Sequence, residues 1–416
     1  MTTRPDTLDA ALIRFRSIFG ELAKGAGERD LSGEHPYELV QELADAGFGK
    51  LRVPREYGGF DVDLPTLFAL LAEAGQADAN VPQIWRGHFT TTEILRLETD
   101  SEVRGYWLTT VAGGAVFGNA QSEPADRVGG LDSGGGWGTI TTRVRRSDAG
   151  ERVVSGTKFY STGSRFADYI RAAVVDGDGH REFVVLPARH QGVEHVDDWD
   201  GVGQRQTGSG TTIFTDVPVE SNGEIGRYTE SLRGLDSFVQ IVHLANLVGI
   251  ARSVLAETID IVRNRTRTSR HALTQDAVAD PDVLGVVGTL YSRTLTAETL
   301  LGHAARRLDE AHATGDEAVY SDAYIQASAA QVAVIDAVLA AASDAFNAGG
   351  SSTARRRAHL DRHWRNARTL ASHNPVIYKP RVIGDYYVNG NAPVSGYYAD
   401  RPSAANAADQ SERVQL

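Results

Sequence analysis

The spacing of apolar residues changes period twice along the 416-residue chain, and that order narrows the possible architectures more than any other feature. From residue 8 to about 112 the spacing is helical: Ala11, Leu12, Phe15, Ile18, Phe19 and Leu22 fall three and four apart, and Leu39, Leu43 and Phe48 continue the theme. Gly47 offers a helix stop, and 64–77 and 81–97 read as further helices behind a rigid turn at Val53-Pro54-Arg55-Glu56-Tyr57-Gly58-Gly59-Phe60. Between 113 and 220 the runs become short and alternating (137–144, 170–175, 182–186, 211–214), separated by Gly134-Gly135-Gly136 and Gly177-Asp178-Gly179. That pattern predicts an antiparallel sandwich or barrel of roughly 100 residues. From about 230 the period is helical again, with long stretches at 232–265, 281–313, 316–346 and 353–371. The Ala-rich run 327–342 suits close packing in a bundle. The tail after Asn374-Pro375 reads as non-helical. The chain is thus an α+β protein in three parts: an N-terminal helical domain (1–112), a central β domain (113–222), and a C-terminal helical bundle with its tail (223–416).

Composition removes several chemistries. There is no Cys, so disulfides, thiolate-held metals and a Cys nucleophile are excluded, and Met1 is the only Met. Forty-two Lys and Arg against 54 Asp and Glu give a net charge of −12, which disfavours nucleic acid and anionic membranes as partners. No apolar run nears the ~18 residues of a membrane span, and the N-terminus lacks the pattern of a signal peptide. The expectation is a soluble cytoplasmic protein with no nucleic-acid or membrane partner.

The usual phosphate-binding glycine motifs are absent. Gly201-Val202-Gly203 is followed by Gln204-Arg205-Gln206, so the dinucleotide spacing fails and the chain shows no NAD(P) site of its own. Gly208-Ser209-Gly210 has the wrong spacing for a nucleophile elbow and precedes a strand. His359 and His363 lie four apart, but no Glu follows the first and Arg355, Arg356 and Arg357 crowd them, so a solvated helix face is expected and no metal. Three polar clusters remain: 117–124, 155–164 and 198–210. Each alone reads as a β-turn segment. Together, their aromatic rings beside short hydroxyl and amide groups suit a flat heteroaromatic ligand.

The segment from Ala46-Gly47-Phe48 through Arg55-Glu56-Tyr57-Gly58-Gly59 resembles the N-terminal signature of the acyl-CoA dehydrogenase superfamily. Ser122-Glu123-Pro124 is similar to its Thr-Glu-Pro flavin-edge loop, and Gly156-Thr157-Lys158 through Thr162-Gly163 to its second flavin loop. The resemblance spans about residues 10 to 395. It implies the acyl-CoA dehydrogenase-like fold: N-terminal helices, a central antiparallel β domain and a C-terminal four-helix bundle. Five motifs carry a finer resemblance to two-component, group D flavin monooxygenases of the dibenzothiophene monooxygenase type: Phe117-Gly118-Asn119-Ala120, Trp199-Asp200 with Gly203-Gln204-Arg205, Arg265-Thr266-Arg267, Asp280-Pro281, and Trp364-Arg365-Asn366-Ala367-Arg368-Thr369 with His373-Asn374-Pro375 and Tyr378-Lys379. One departure separates the chain from the dehydrogenases, whose Glu base commonly lies in a C-terminal Tyr-Glu-Gly segment. The corresponding stretch here is 383–390, and no Glu follows Glu317 until Glu412. Glu257 and Glu298 are the bundle carboxylates left for that role, and Pro124 is followed by Ala-Asp-Arg rather than Ala-Gly-Ser-Asp.

The resemblance implies a reduced-flavin-dependent monooxygenase. It would transfer one oxygen atom from C4a-hydroperoxyflavin to a sulfur, nitrogen or aromatic carbon of a small molecule. FMNH2 would come from a separate flavin reductase, with FAD the alternative flavin, O2 the oxidant and a homotetramer the expected assembly. Acyl-CoA dehydrogenase and a nitrososynthase-like amino-sugar N-oxygenase are the alternatives. The implied site has His88, Asn119 and Thr162 as catalytic groups. Asn119 and Ser122 would face the flavin edge, Tyr160 and Trp199 its ring, and Thr162 its N5, while Arg267, Arg365 and Arg368 are candidates for its phosphate. The monooxygenases also use a tail His. No His follows His373 here, so that role is expected to be vacant or filled by Asn389, Asn391 or Ser395.

Overall fold

The computed structural model describes residues 7–123, 140–227 and 232–393. Five helices come first: α1 (Leu8–Ser32), α2 (Tyr37–Asp45), α3 (Leu64–Ala77), α4 (Val81–Arg96) and α5 (Ser101–Ala112). Their starts are set by side-chain caps, Thr7 on the Ala10 amide, Asp63 on Thr66 and Asp100 on Glu102 and Val103. α4 is buried along fifteen of its sixteen residues, polar ones included, which makes it a wall of the interior rather than a surface helix.

The middle of the chain forms one seven-stranded sheet: β1 (Phe117–Ala120), β2 (Arg143–Arg146), β3 (Arg152–Lys158), β4 (Tyr169–Val175), β5 (Arg181–Pro187), β6 (Val193–His195) and β7 (Thr212–Pro218). The hydrogen-bonded path runs β1-β4-β2-β3-β7-β6, with β5 on β4. The sheet is mixed, not antiparallel as expected. β1 runs parallel to β4 with Asn119 opposite Arg171, and Arg143 of β2 pairs in parallel with Val175. Long segments separate these partners in the chain, so hairpin geometry does not dictate their direction.

The C-terminal part is built on α6 (Leu235–Arg263), α7 (Pro281–Thr314) and α8 (Glu317–Gly349), followed by α9 (Asp361–Ser372) and α10 (Lys379–Asn389). Three local expectations are corrected. The helix expected from residue 353 begins at Asp361, because Arg355 is extended and His359 is left-handed, with φ +53°. The tail is helical at α10, where Pro380 sits in the first turn and lacks only an amide the helix does not need. Two helical windows, in α6 and in 317–354, are apolar enough in composition to cross a membrane despite scattered charges, and 89% of the α6 window is buried inside the protein. A single hydrophobic cluster runs from Phe15 and Phe48 through Ile170 and Val184 to Val248 and Val338, so the three parts share one core.

Candidate active site

Two loops meet at the end of the sheet beside α4. Ser161 N–H donates to the Gly210 carbonyl and Gly163 N–H to the Thr207 carbonyl. Gly163 has φ +80°, and a Cβ there would collide with the Ile84 carbonyl, so the turn fits only as glycine against α4. Between the loops, Thr162 Oγ1 lies 2.8 Å from Ser209 Oγ, and Ser209 Oγ lies 2.6 Å from Thr207 Oγ1. Tyr160 is held at φ +56° and its ring meets Trp199 edge-on at 5.8 Å. A non-glycine residue in that conformation costs about 1–2 kcal/mol, a strain the paired loops sustain.

The loop at 198–210 is stapled on three sides, which explains its amide-rich sequence. Gln204 N–H donates to Asn366 Oδ1 of α9 (2.6 Å) and its side chain to the Ala79 carbonyl (3.0 Å). Arg205 reaches the Asp30 carbonyl (2.7 Å), and Gln206 exchanges hydrogen bonds with Asn80 (2.6 and 3.1 Å). At Gly203 a Cβ would overlap the Arg365 carbonyl, so the loop lies directly on α9.

A second group of polar side chains gathers from α4, β1, α6 and the turn after α9. Arg86 of α4 points its Nη2 at Asn119 Oδ1 (3.5 Å). His243 of α6 and His373, just past α9, face each other with ring centroids 4.3 Å apart. Both nitrogens of His243 are buried with no hydrogen-bond partner among the described residues. Water or a bound molecule can complete the bonding of a buried polar group left this way. His373 borders solvent while its ring packs on His243. Burial, then His373 and Arg86, push His243 well below its ordinary value, and burial followed by Arg86 pushes His373 down to about 3. Both rings are therefore neutral near pH 7, each with one donor and one acceptor nitrogen.

The structure brings Asn119, Tyr160, Thr162 and Trp199 to this region and places other expected residues elsewhere. His88 is fully buried; its Nε2 contacts the Gly49 carbonyl (2.8 Å) and its Nδ1 accepts from Phe117 N–H (3.1 Å). It braces the 48–51 turn against β1, with no nitrogen left to act as acid or base. Arg365 is committed to Asp30, to Asp361 (2.8 Å) and to the Val202 carbonyl (3.0 Å), which makes it a clamp and not a phosphate ligand. Arg267 follows the far end of α6, about 30 Å along the helix from His243 at 1.5 Å per residue, and is exposed there. Arg368 is half-buried and bonds Ser372 Oγ at 3.3 Å. Ser122 is exposed, and its carbonyl accepts from Phe159 N–H. Next to it, burial opposes the Glu123 charge, but Lys158 (2.7 Å), Thr141 and Thr142 hold its pKa down to about 2.

The two bundle carboxylates are also engaged. Glu257 pairs with Arg362 and His363, and Glu298 with Arg252 (2.6 Å). His363 is thus an interior residue and not part of a solvated helix face, while His359 turns away to Glu28. Asn389 and Asn391 are exposed and bond Asp385. Pro124 and Ser395 lie outside the described residues. The residues that sequence reasoning missed are Arg86, His243, His373 and Ser209. His373 lies in the C-terminal sequence motif, but its contact with His243 of α6 is visible only in the fold.

A mixed sheet between two helical layers, with its loops turned toward α4 and α6, defines the acyl-CoA dehydrogenase fold. Residues 16–115 match the acyl-CoA dehydrogenase N-terminal domain and 241–377 its C-terminal domain, together more than half of the chain, which therefore belongs to the acyl-CoA dehydrogenase family. Within that family it resembles dibenzothiophene monooxygenase of Rhodococcus erythropolis, with 29% identity over 390 residues, 89% of this chain and 91% of the relative. It is 27% identical over 400 residues to the probable FMNH2-dependent monooxygenase SfnC of Pseudomonas putida, covering 94% and 97%. The crystal structure of FMN-bound TdsC from Paenibacillus sp. A11-2 superposes with a TM-score of 0.83 at 26% identity, over 94% of this chain and all of TdsC.

Proposed function

We propose that the chain is the oxygenase component of a two-component system, using reduced FMN and O2 to place one oxygen atom on a sulfur, nitrogen or aromatic carbon of a small molecule. The observation that carries this reading is the makeup of the polar group between α4, β1 and α6. Arg86, Asn119, His243 and His373 meet there, while Glu257 and Glu298 are held in ion pairs within the bundle. Dehydrogenation of an acyl-CoA needs a free carboxylate base, and this arrangement offers neutral imidazoles instead. The nearly full-length likeness to FMNH2-dependent monooxygenases points the same way.

The residues present fit FMN. Tyr160 and Trp199 would offer aromatic surface, Thr162 a hydroxyl for the flavin N5, Asn119 an amide for the ring edge, and Arg368 a cation for the phosphate. When bound, reduced FMN supplies the electrons that activate O2. His373 and His243 would hold a proton near the reacting oxygen, and Arg86 would stabilise negative charge there. With no dinucleotide motif in the chain, a flavin reductase would be the partner that supplies FMNH2. Leu284, Tyr291 and Leu295 share one face of α7 and are about half exposed, which supports a homotetramer formed through the bundle.

The test is to mix the protein with FMNH2 without oxygen, admit O2, and follow the return of oxidised flavin. Protein-bound FMNH2 should return far more slowly than free FMNH2. An unaltered rate overturns the reading.

A further inference from the structure

Three buried hydroxyls join the two loops of the site, and their hydrogen order is fixed. Thr207 Oγ1 lies 2.8 Å from the Gln204 carbonyl oxygen. A carbonyl only accepts, so the one hydroxyl hydrogen of Thr207 is committed to it. Thr207 Oγ1 also lies 2.6 Å from Ser209 Oγ, and that bond must use the Ser209 hydrogen. Ser209 Oγ lies 2.8 Å from Thr162 Oγ1, and with the Ser209 hydrogen already used, the Thr162 hydrogen makes this bond. The Tyr160 carbonyl is a longer alternative for Thr162 at 3.5 Å, and it already accepts the Thr162 N–H at 2.8 Å. Thr162, Thr207 and Ser209 are 3%, 0% and 6% exposed, which keeps water from reordering the chain of donors. Any further group that meets Thr162 Oγ1 therefore finds lone pairs and must itself donate.

We infer that Ser209 and Thr207 act through Thr162 as a selector of flavin redox state, holding its hydroxyl as an acceptor so that the N5–H of reduced FMN is favoured over the N5 lone pair of oxidised FMN. This rests on the reading that Thr162 meets the flavin N5. Reduced flavin carries a hydrogen on N5 and donates. Oxidised flavin presents a lone pair there, which would oppose the lone pairs of Thr162. An oxygenase fed by a separate reductase encounters both forms, and only the reduced one is useful. Ser209 and Thr207 are positioning residues in this scheme, since neither needs to touch the flavin.

The decisive measurement is the ratio of Kd values for oxidised and reduced FMN, taken anaerobically on the full-length protein and on Ser209→Ala. Freeing the Thr162 hydroxyl to rotate should tighten oxidised FMN and shrink the ratio about tenfold, the worth of one hydrogen bond. The midpoint potential of the bound flavin should fall by about 30 mV. Thr207→Val, nearly isosteric, should shift the ratio the same way and serves if Ser209→Ala does not fold. 5-Deaza-FMN carries carbon in place of N5, so its ratio should be the same in the wild type and the variants. An FMN ratio unmoved in both variants, or a 5-deaza-FMN ratio that moves as much, overturns the inference and leaves the flavin reading intact. A wild-type protein that binds neither form of FMN overturns both.

Discussion

His243 and His373 stand with their ring centroids 4.3 Å apart and their planes at 44°, although 130 residues separate them in the chain. One comes from the first third of α6 and the other from the turn after α9. Arg86 bears on both, and its positive charge helps keep each ring neutral. Two neutral imidazoles side by side can each offer one N–H donor and one acceptor nitrogen to a bound molecule.

His373→Gln should therefore lower the rate of oxygen transfer by about two orders of magnitude or more, the usual scale for loss of a general acid or base. FMN binding should change little, and oxygen consumed should appear as hydrogen peroxide instead of product. The check is the ratio of product to peroxide per O2 at saturating FMNH2. An unchanged ratio would mean that His373 only packs on His243.

His88 makes a different prediction because its role is internal. Burial pushes its pKa down to about 4, with the Gly49 hydrogen bond opposing that shift in part. The unfolded chain takes up a proton near pH 6.5, while the folded one resists until about pH 4. Stability from this residue is thus complete above pH 6.5 and lost as pH falls through that window, by on the order of 3 kcal/mol. Glu123 and Glu257, each held at about 2, add a second loss between pH 4.5 and 2. His88→Gln should be less stable at pH 7.5 yet show a flatter profile between pH 6.5 and 4 in urea melts.

How far the sequence spoke depends on range. The change of period gave the three layers, because amphipathic spacing is local. Register against a distant partner is not local, so the parallel pairing of Asn119 with Arg171 was invisible. The loops carrying Tyr160, Thr162 and Trp199 stand out in the sequence because their residue types suit a flat ring, and the fold brings Tyr160 against Trp199. Arg365 was misjudged because its partner, Asp30, lies 335 positions away in α1. Ser209 was seen only as a failed nucleophile elbow, since its significance depends on hydroxyls at 162 and 207 that the fold brings to it.

Arg365 and Arg368 stand three apart on α9 and should separate cleanly. Arg365→Ala leaves Asp30, 3% exposed, without its cation, which costs about 3 kcal/mol or more. Its signature should be a lowered melting temperature. Arg368→Ala removes only a half-exposed side chain bonded to Ser372, so stability should hold. If Arg368 meets the FMN phosphate, the Kd for FMN should rise about tenfold or more while riboflavin binding stays the same. Equal effects on FMN and riboflavin would remove Arg368 from that role.

Arg86 links α4 to β1 through Asn119, and its electrostatic reach can be read residue by residue. Its charge lowers the pKa of both His243 and His373, whereas His88, two positions away on α4, is shifted by burial and the Gly49 carbonyl alone. Replacing it as Arg86→Met keeps the volume and removes the cation. The His373 titration should then move to higher pH, toward the ordinary value near 6.5 without reaching it, because burial is the larger cause. His243 should move in the same direction and His88 should stay in place. NMR of nitrogen-labelled histidine, with His373→Gln and His88→Gln for assignment, reads all three in one titration. If His88 moved as far as His373, the change would reflect a general loosening of α4 and not the field of one guanidinium.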